Sequence, residues 1–282
     1  MIEVKKYVLL AALIVTGLFL SKYMPEEPEK VKSKPVLRIG SECDYVPNSW
    51  EEINRSDFNH PIANRDGFFA DGYDIQIAKL IAGKLDMTLE VKKIAWNDLI
   101  PSLINGEIDV IFSSMLDTEE RRARISFSQP YQARKIEYGI IVDSAGPYFS
   151  ATSLSDFSGA RITGEKGTNL YAVINQIPGV IHAAPRETVE ATVNSVLNGE
   201  ADGAVIDTDT GHFYEITNKN LTLVKFSGDV GFKLGFTGVC AGVRKDNTAL
   251  MLKINRAISD IKLSQRQDIM DGASARMMTL SH

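Results

Sequence analysis

Short β-rich runs alternate with amphipathic helical segments along most of the chain. Val36–Gly40 has the composition of a strand, whereas Asp74–Leu85 carries its apolar residues at helical spacing. Strands separated by helices require crossover connections, and therefore a parallel sheet with helices on its faces. The pattern predicts an α/β fold. The other predicted elements are strands at Thr88–Lys93, Val110–Phe112, Arg161, Val180 and Gly203–Ile206, and helices at Asp98–Asn105, from Asn169 and from Thr188.

A short sequence that occurs twice indicates two such sheets. Residues 103–109 read LINGEID and residues 196–202 read VLNGEAD. In both copies Asn-Gly suits a left-handed helix cap, and the following residues enter a buried strand. Ser113-Ser114 follows the first of these strands and Asp207 follows the second. Because carboxyl ends of strands in doubly wound sheets face the ligand crevice, we expect two lobes that share one cleft.

The N-terminal residues predict export. Two lysines precede an apolar run from Tyr7 to Leu20, which has the length of a signal-peptide core. No Ala-x-Ala site follows, so residues 1–24 are either a cleaved signal peptide or an uncleaved anchor that tethers the chain through residues 7–24. Residues 25–35, PEEPEKVKSKP, contain almost nothing apolar and form a charged linker. Either alternative places the rest of the chain outside the cytoplasm.

Composition excludes several classes of function. The chain has 282 residues, of which 44% are hydrophobic, and its 31 Lys plus Arg against 36 Asp plus Glu give a net charge of -5. A folded protein of this charge lacks the basic surface that nucleic acid requires. Cys43 and Cys240 are too distant for a CxxC motif and the four histidines do not cluster, so we expect no metal site and no cofactor. Whether the two cysteines form a disulfide is left open.

An ordered series of short motifs identifies a family. The motifs are Arg38-Ile-Gly, Tyr45-Val-Pro, Gly72-Tyr-Asp-Ile, Trp96-Asn-Asp-Leu-Ile-Pro-Ser-Leu, Gly106-Glu-Ile-Asp, Thr118-Glu-Glu-Arg, Phe127-Ser-Gln-Pro-Tyr, Lys166-Gly-Thr and Val205-Ile-Asp. The series resembles the family-3 bacterial solute-binding proteins, which are periplasmic receptors that deliver polar amino acids to ABC importers. The similarity runs from about residue 36 to about residue 262.

The resemblance implies a two-lobed periplasmic-binding-protein-like fold of type II, with two hinge crossings and a ligand cleft between the lobes. It implies a periplasmic, or at least extracytoplasmic, receptor whose ligand is an amino acid and whose partner is an ABC transporter permease. Ligand binding would close the lobes, and no residue would be catalytic. The implied bounds are 36–135 with 240–282 for the first lobe, 136–239 for the second, hinges near Tyr131–Gly139 and Phe236–Gly242, and final helices from Asn247 packed on the first lobe.

The resemblance also assigns residues to the α-amino acid group of the ligand. It implies that Arg121 holds the α-carboxylate and that Asp207 holds the α-ammonium. The chemistry agrees, because arginine offers a carboxylate two parallel N–H bonds and an ammonium group requires carboxylate acceptors. Thr118 can cap the helix that carries Arg121, and Thr168 can add a donor from the opposite lobe. Asp207 can also act as a helix N-cap, a role compatible with ligand binding.

The chain departs from the common pattern of the family in two places. Leu116 stands two residues before Thr118, where the family usually has Ser or Thr. One side-chain hydroxyl is therefore missing near the ligand, although the Leu116 backbone N–H can still bind it. Residues 49–71 are longer than in common members and are expected at the rim of the cleft, where they either contact ligand or cover the lobe.

Glu42 is the predicted determinant of ligand specificity. It follows the first strand, at the position where relatives that bind cationic amino acids often carry an acid. A buried acid costs several kcal/mol unless it is paired, which favours a ligand such as lysine or arginine. Tyr45, Trp50 and Trp96 can supply aromatic walls around its side chain. The alternatives are that Glu42 pairs with Arg65 or another internal cation and the ligand is neutral, and that Tyr45 and Trp96 are ordinary core aromatic residues.

Two other functions fit the same scaffold. The family also resembles cyclohexadienyl dehydratases, and a lyase of that kind would need a general acid in the cleft, for which Glu42 is the visible candidate. A membrane-tethered amino acid sensor is the other, and it would need a separate output partner. We expect a receptor and no enzyme.

Overall fold

The structure is a computed structural model, and it describes residues 33–132, 135–226, 228–235 and 238–280. The predicted export segment and nearly all of the charged linker lie outside the described residues. No helix among the described residues is long and apolar enough to cross a membrane.

Most of the predicted elements are present, with ends that differ by one or two residues. The strands are β1 (Val36–Ser41), β2 (Asp44–Tyr45), β3 (Ser49–Glu52), β4 (His60–Pro61), β5 (Phe69–Asp71), β6 (Thr88–Lys93), β7 (Val110–Ile111), β8 (Ser126–Pro130), β9 (Tyr138–Asp143), β10 (Arg161–Thr163), β11 (Ile181–His182), β12 (Gly203–Asp207), β13 (Leu221–Val224) and β14 (Cys240–Val243). The α-helices are α1 (Tyr73–Lys84), α2 (Trp96–Ile104), α3 (Glu119–Arg124), α4 (Asn169–Ala172), α5 (Val189–Leu197), α6 (Thr208–Thr217), α7 (Thr248–Ser259) and α8 (Leu263–Met277).

The strands form two five-stranded sheets, each of which is mixed. The first has the order β6-β1-β7-β14-β8, and the second has the order β11-β10-β12-β9-β13. β1 is parallel to β6 and β7, and β10 is parallel to β11 and β12. β14 and β9 are antiparallel to both of their neighbours. The strands that the pattern predicted are therefore parallel to one another within each sheet, as expected. The two reversed strands were not predicted, and each is the first strand after a crossing from the other sheet.

The chain passes between the sheets twice, and we call the parts built on them the first and the second lobe. The crossings connect β8 to β9 and β13 to β14, and they overlap the two hinges implied by the resemblance. Parts of both crossings lie outside the described residues. The last two helices pack on the first lobe, α7 against β8 and α8 against α1. Asn255 Oδ1 accepts a hydrogen bond from the backbone N–H of Gln129 at 2.7 Å.

The repeated sequence has the same local structure in both lobes. Gly106 and Gly199 have φ angles of 78° and 69°, which is the left-handed cap that the repeat predicted. The aspartate that ends each copy accepts hydrogen bonds from both the backbone and the guanidinium of an arginine at the start of a strand. These pairs are Arg38 with Asp109 at 2.8 Å and Arg161 with Asp202 at 2.6 Å.

The additional residues 49–71 belong to a small sheet on the first lobe. Together with β2 they form an antiparallel sheet of order β2-β3-β5-β4. Its buried Asp71 pairs with Arg276 of α8 at 2.6 Å, and the Arg276 guanidinium lies 4.3 Å from the Phe58 ring. This part of the chain therefore joins α8 to the first lobe. Both cysteines are buried, free thiols, which answers the question of a disulfide.

Candidate ligand-binding site

A cleft lies between the lobes, where the carboxyl ends of several strands meet. It adjoins a second cavity that Asp207 lines and that shares Tyr45, Ser114, Leu116 and Tyr138 with the cleft. The residues that line the cleft itself are Glu42, Tyr45, Trp96, Ser113, Ser114, Leu116, Arg121, Tyr138, Glu165, Thr168, Asn169 and Leu170.

The two lobes touch across this cleft. The carbonyl oxygen of Gly167, in the second lobe, accepts hydrogen bonds from Trp96 Nε1 at 3.0 Å and from Arg121 Nη2 at 3.3 Å. On the other side of the cleft, the Thr210 hydroxyl donates to the Val46 carbonyl. The lobes are therefore in contact, and groups from both of them line the same cleft.

Arg121 is buried without an acidic partner. Thr118 N-caps α3 by accepting a hydrogen bond from the Arg121 backbone N–H at 3.3 Å, as predicted. The Arg121 side chain is 9% exposed, it donates to the Leu116 carbonyl at 3.0 Å, and its guanidinium lies 5.0 Å from the Trp96 ring. No ion pair joins it to a described carboxylate, and burial lowers its pKa. A buried guanidinium in this state has N–H groups left to bind an anion.

Asp207 combines a structural role with a free oxygen. It ends β12 and N-caps α6, where Oδ1 accepts hydrogen bonds from the backbone N–H groups of Asp209 and Thr210, both at 3.0 Å. The residue is 8% exposed, and its second oxygen, Oδ2, has no hydrogen-bond partner. Burial raises its pKa, and the Tyr45 hydroxyl beside it offsets part of that rise. Both predicted roles of Asp207 are therefore compatible with its geometry.

A buried carboxylate behind the cleft orients Ser114. The Ser114 hydroxyl donates to Asp74 Oδ2 at 3.0 Å, and the Tyr131 hydroxyl donates to Asp74 Oδ1 at 2.8 Å. Asp74 is fully buried, and burial raises its pKa to about 7. The Ser114 backbone N–H also faces this carboxylate, and its hydrogen bond opposes the rise in the pKa of Asp74. Asp74 therefore fixes the position of Ser114 at the edge of the cleft.

Two carboxylic acids meet across the cleft without a cation. Glu42 of the first lobe and Glu165 of the second are 4% and 3% exposed. Burial and the neighbouring acids raise the pKa of Glu42 to about 11, and burial raises that of Glu165 to about 8, although the hydrogen bond from Glu42 opposes this second shift. Arg65 lies instead against Glu51, at 2.9 Å. The alternative in which Arg65 neutralises Glu42 was therefore wrong.

The other predicted site residues divide into two groups. Tyr45, Trp96, Leu116 and Thr168 line the cleft, and the Thr168 hydroxyl donates to the Glu165 carbonyl at 2.7 Å. Trp50 does not line it, since β3 pairs with β2 and β5 and the Trp50 ring is buried in the small sheet. The prediction that Trp50 forms a wall of the cleft was therefore wrong.

Sequence reasoning missed four residues of the cleft: Tyr138, Glu165, Asn169 and Leu170. Glu165 directly precedes the Lys166-Gly-Thr motif. The motif therefore marks its position along the chain, but it does not by itself predict a role for the side chain. Tyr138 begins β9 after the first crossing, where no motif marked it. Within the described part of the chain, no three His, Cys, Asp or Glu side chains are grouped so as to hold a metal ion.

Comparison with known proteins places this geometry in a family. Over 258 residues the chain is 28% identical to the putative ABC transporter arginine-binding protein 2 of Escherichia coli (strain K12), covering 91% of this chain and 93% of that one. It is 24% identical over 268 residues to the L-arginine-binding protein of Pseudomonas aeruginosa, covering 92% of each.

A solved structure has the same fold. An amino acid ABC transporter substrate-binding protein from Streptococcus pneumoniae bound to L-arginine superposes with a TM-score of 0.72 at 18% identity, over 86% of this chain and 96% of that one. Residues 57–271 match the family described as bacterial extracellular solute-binding proteins, family 3. The two mixed sheets, the two crossings and the cleft between them are those of a type II binding protein, and the chain belongs to the bacterial extracellular solute-binding proteins, family 3.

Proposed function

We propose that this chain is the extracytoplasmic receptor of an ABC importer for an amino acid with a cationic side chain. One observation carries the proposal: the cleft contains a buried guanidinium without an acid and a buried pair of acids without a cation. Burying unpaired charge is costly, so a ligand that carries both missing charges is favoured over any neutral molecule. A cationic amino acid carries both.

The ligand's groups can be assigned to residues on chemical grounds. Arg121 would hold the α-carboxylate, and Oδ2 of Asp207 would accept from the α-ammonium. Glu42 would take the cationic end of the side chain, whose stem would pass between Tyr45 and Trp96. The names of two similar proteins, which bind arginine, support this assignment.

A thermal-shift screen of the full chain against the common amino acids tests the proposal. A ligand at a hundred times its Kd stabilises the folded state by about 2.7 kcal/mol, which raises Tm by about 5 to 10 °C in a domain of this size. We expect this rise with lysine, arginine or ornithine, and none with glutamate, which adds a third buried acid to the cleft. A rise with neutral or acidic amino acids only would contradict the proposal.

A lyase on the same scaffold is the second candidate, because the raised pKa of Glu42 would keep it protonated and able to act as a general acid. The two functions differ in whether the bound molecule is chemically changed. A receptor releases its ligand unchanged, whereas a lyase converts a cyclohexadienyl substrate to an aromatic product, which absorbance detects. Product formation that depends on Glu42 would decide for the lyase.

The N-terminal segment determines how the receptor is held in its compartment. We propose that residues 7–24 tether the chain to the membrane unless a peptidase removes them, since no clear cleavage site follows the apolar run. Mass spectrometry of the native protein distinguishes the alternatives. A mature N-terminus between Ser21 and Glu27 would contradict the tether.

A further inference from the structure

Glu42 and Glu165 line one cleft from opposite lobes, and both side chains are almost completely buried. Two buried carboxylates that face one another without a cation disfavour double ionisation, so the pair favours holding at least one proton. Oε1 of Glu42 and Oε1 of Glu165 have no hydrogen-bond partner. The Glu42 backbone N–H is engaged separately, with Ser113 Oγ at 3.0 Å.

Cations close to this pair in sequence or on neighbouring strands are committed to other acids, and Arg121, which lines the same cleft, donates to the carbonyl oxygens of Leu116 and Gly167. In the second lobe, Lys166 pairs with Glu187 at 2.6 Å and Arg186 pairs with Glu200. In the first lobe, Lys93 pairs with Glu51 at 3.3 Å. Among the described residues, no Lys, Arg or His forms an ion pair with either member of the Glu42–Glu165 pair.

The groups that surround the pair add negative rather than positive charge. Asp44 is the nearest further acid, and burial raises its own pKa to about 6 despite the charge of Lys93. The titratable groups that face the pair or Asp44 are Asp44 and Tyr45 of β2, Glu51 of β3, Lys93 of β6, Glu190 of α5 and Tyr214 of α6. The site is therefore arranged to accept positive charge from outside the protein.

We propose that Glu165 is a second determinant of specificity, which forms with Glu42 a two-carboxylate site completed only when the lobes close, and that the ligand's cationic group replaces a proton held there. The inference rests on the proposed function and deepens it. On binding, a carboxylic O–H bond of the pair breaks, its proton passes to solvent, and the ligand's N–H groups donate to the carboxylate that remains. A neutral side chain leaves the proton in place.

If the ligand's cationic group replaces a proton of the pair, the affinity for that ligand depends on pH in a defined way. The bound state holds fewer protons than the free state, so affinity for a cationic ligand rises with pH while the free pair is still protonated. With the pKa of Glu165 raised to about 8, affinity should rise towards tenfold per pH unit between pH 6 and about 8, and level off above. A neutral ligand should show no such rise.

Calorimetry on the full chain tests the proposal with L-arginine and L-citrulline, its uncharged isostere. Glu165→Gln should lower the affinity for arginine about tenfold to a hundredfold, because it removes one charge-assisted contact. It should change the affinity for citrulline by less than about threefold. Asp229→Asn is the matched control, since Asp229 is an exposed acid of the same lobe for which the described residues form no ion pair. It should change the affinity for neither ligand.

Proton release provides a readout that a structural role would not produce. Titrations of arginine into buffers of different ionisation enthalpy should show about one proton released by the wild-type chain at pH 7, and none by the Glu42→Gln/Glu165→Gln double variant. The pH dependence of the wild type needs no variant, and a flat profile for arginine between pH 6 and 8 would overturn the replacement.

Different experimental results would contradict the proposed function and the proposed role of Glu165. If the wild type does not prefer arginine to citrulline and lysine to neutral amino acids, the proposed function fails. If the wild type prefers arginine but Glu165→Gln keeps the same arginine-to-citrulline ratio, only the role of Glu165 fails.

Discussion

Arginine at position 121 should bind a carboxylate in a way that lysine cannot, and the structure gives the size of the difference. A guanidinium has five N–H groups. Two of them are used by the carbonyl oxygens of Leu116 and Gly167, at 3.0 and 3.3 Å, which leaves three for a ligand. A lysine ammonium has three N–H groups, so the same two carbonyls would leave it one. Arg121→Lys therefore keeps the charge and loses one of two parallel hydrogen bonds to the α-carboxylate.

The expected loss follows from the strength of one such bond. A hydrogen bond to a charged group contributes about 1.5 to 3 kcal/mol, which corresponds to a loss of affinity of about tenfold to 150-fold. Isothermal calorimetry with the ligand that gives the largest thermal shift measures it. The control is Arg122→Lys, because Arg122 is the exposed neighbour that pairs with Asp117 at 2.5 Å, and it should bind as the wild type does. An Arg121→Lys variant that folds normally and binds within threefold of the wild type would refute the assignment of Arg121 to the carboxylate.

Three further perturbations test the site and the fold. Asp207→Asn should keep the helix N-cap, because asparagine caps as well as aspartate, yet bind ligand at least tenfold more weakly in calorimetry since the free oxygen loses its charge; unchanged affinity would remove Asp207 from the site. Gly72→Ala should lower the free energy of unfolding in urea by more than about 2 kcal/mol, because its Cβ would lie 2.3 Å from the Asn48 carbonyl at a φ of 119°. Gly83→Ala, in open space within α1, should instead stabilise the chain by about 0.5 to 1 kcal/mol. Since burial raises the pKa of Asp74 to about 7, the folded chain binds a proton at Asp74 more tightly than the unfolded chain does, and the free energy of unfolding should fall as pH rises from about 4 to about 7. Urea unfolding of Asp74→Asn should show a smaller fall over the same pH range. Equal falls in the wild type and the variant would contradict this role of Asp74.

The sequence was most informative where a role depends on local chemistry. Thr118 as the cap of the helix that carries Arg121, and Asp207 at the end of a buried strand, were predicted from a few adjacent residues. The left-handed helix caps at Gly106 and Gly199 were likewise predicted, because a short Asn-Gly sequence is enough to indicate such a cap.

Features that depend on which segments meet in space were not predictable in the same way. Glu165 gains its importance from Glu42, which lies in the other lobe, and no spacing along the chain encodes that contact. Trp50 was predicted as a wall of the cleft, but the pairing of β3 places it in the small sheet instead. The reversed direction of β9 and β14 reflects the crossings between the lobes rather than any property of the strands themselves.

The position of β14 sets an order in which the lobes can form during synthesis. The second sheet is made from one continuous stretch of chain, whereas β14 lies between β7 and β8 in the first sheet, although it is synthesised about a hundred residues after β8. The second lobe can therefore fold as soon as it emerges from the ribosome, while the first lobe stays an incomplete sheet with open edges until β14 arrives. Only the first lobe is held open by this order of synthesis. For a chain that crosses a translocation channel unfolded, the second lobe is therefore the part that must be kept from folding before passage.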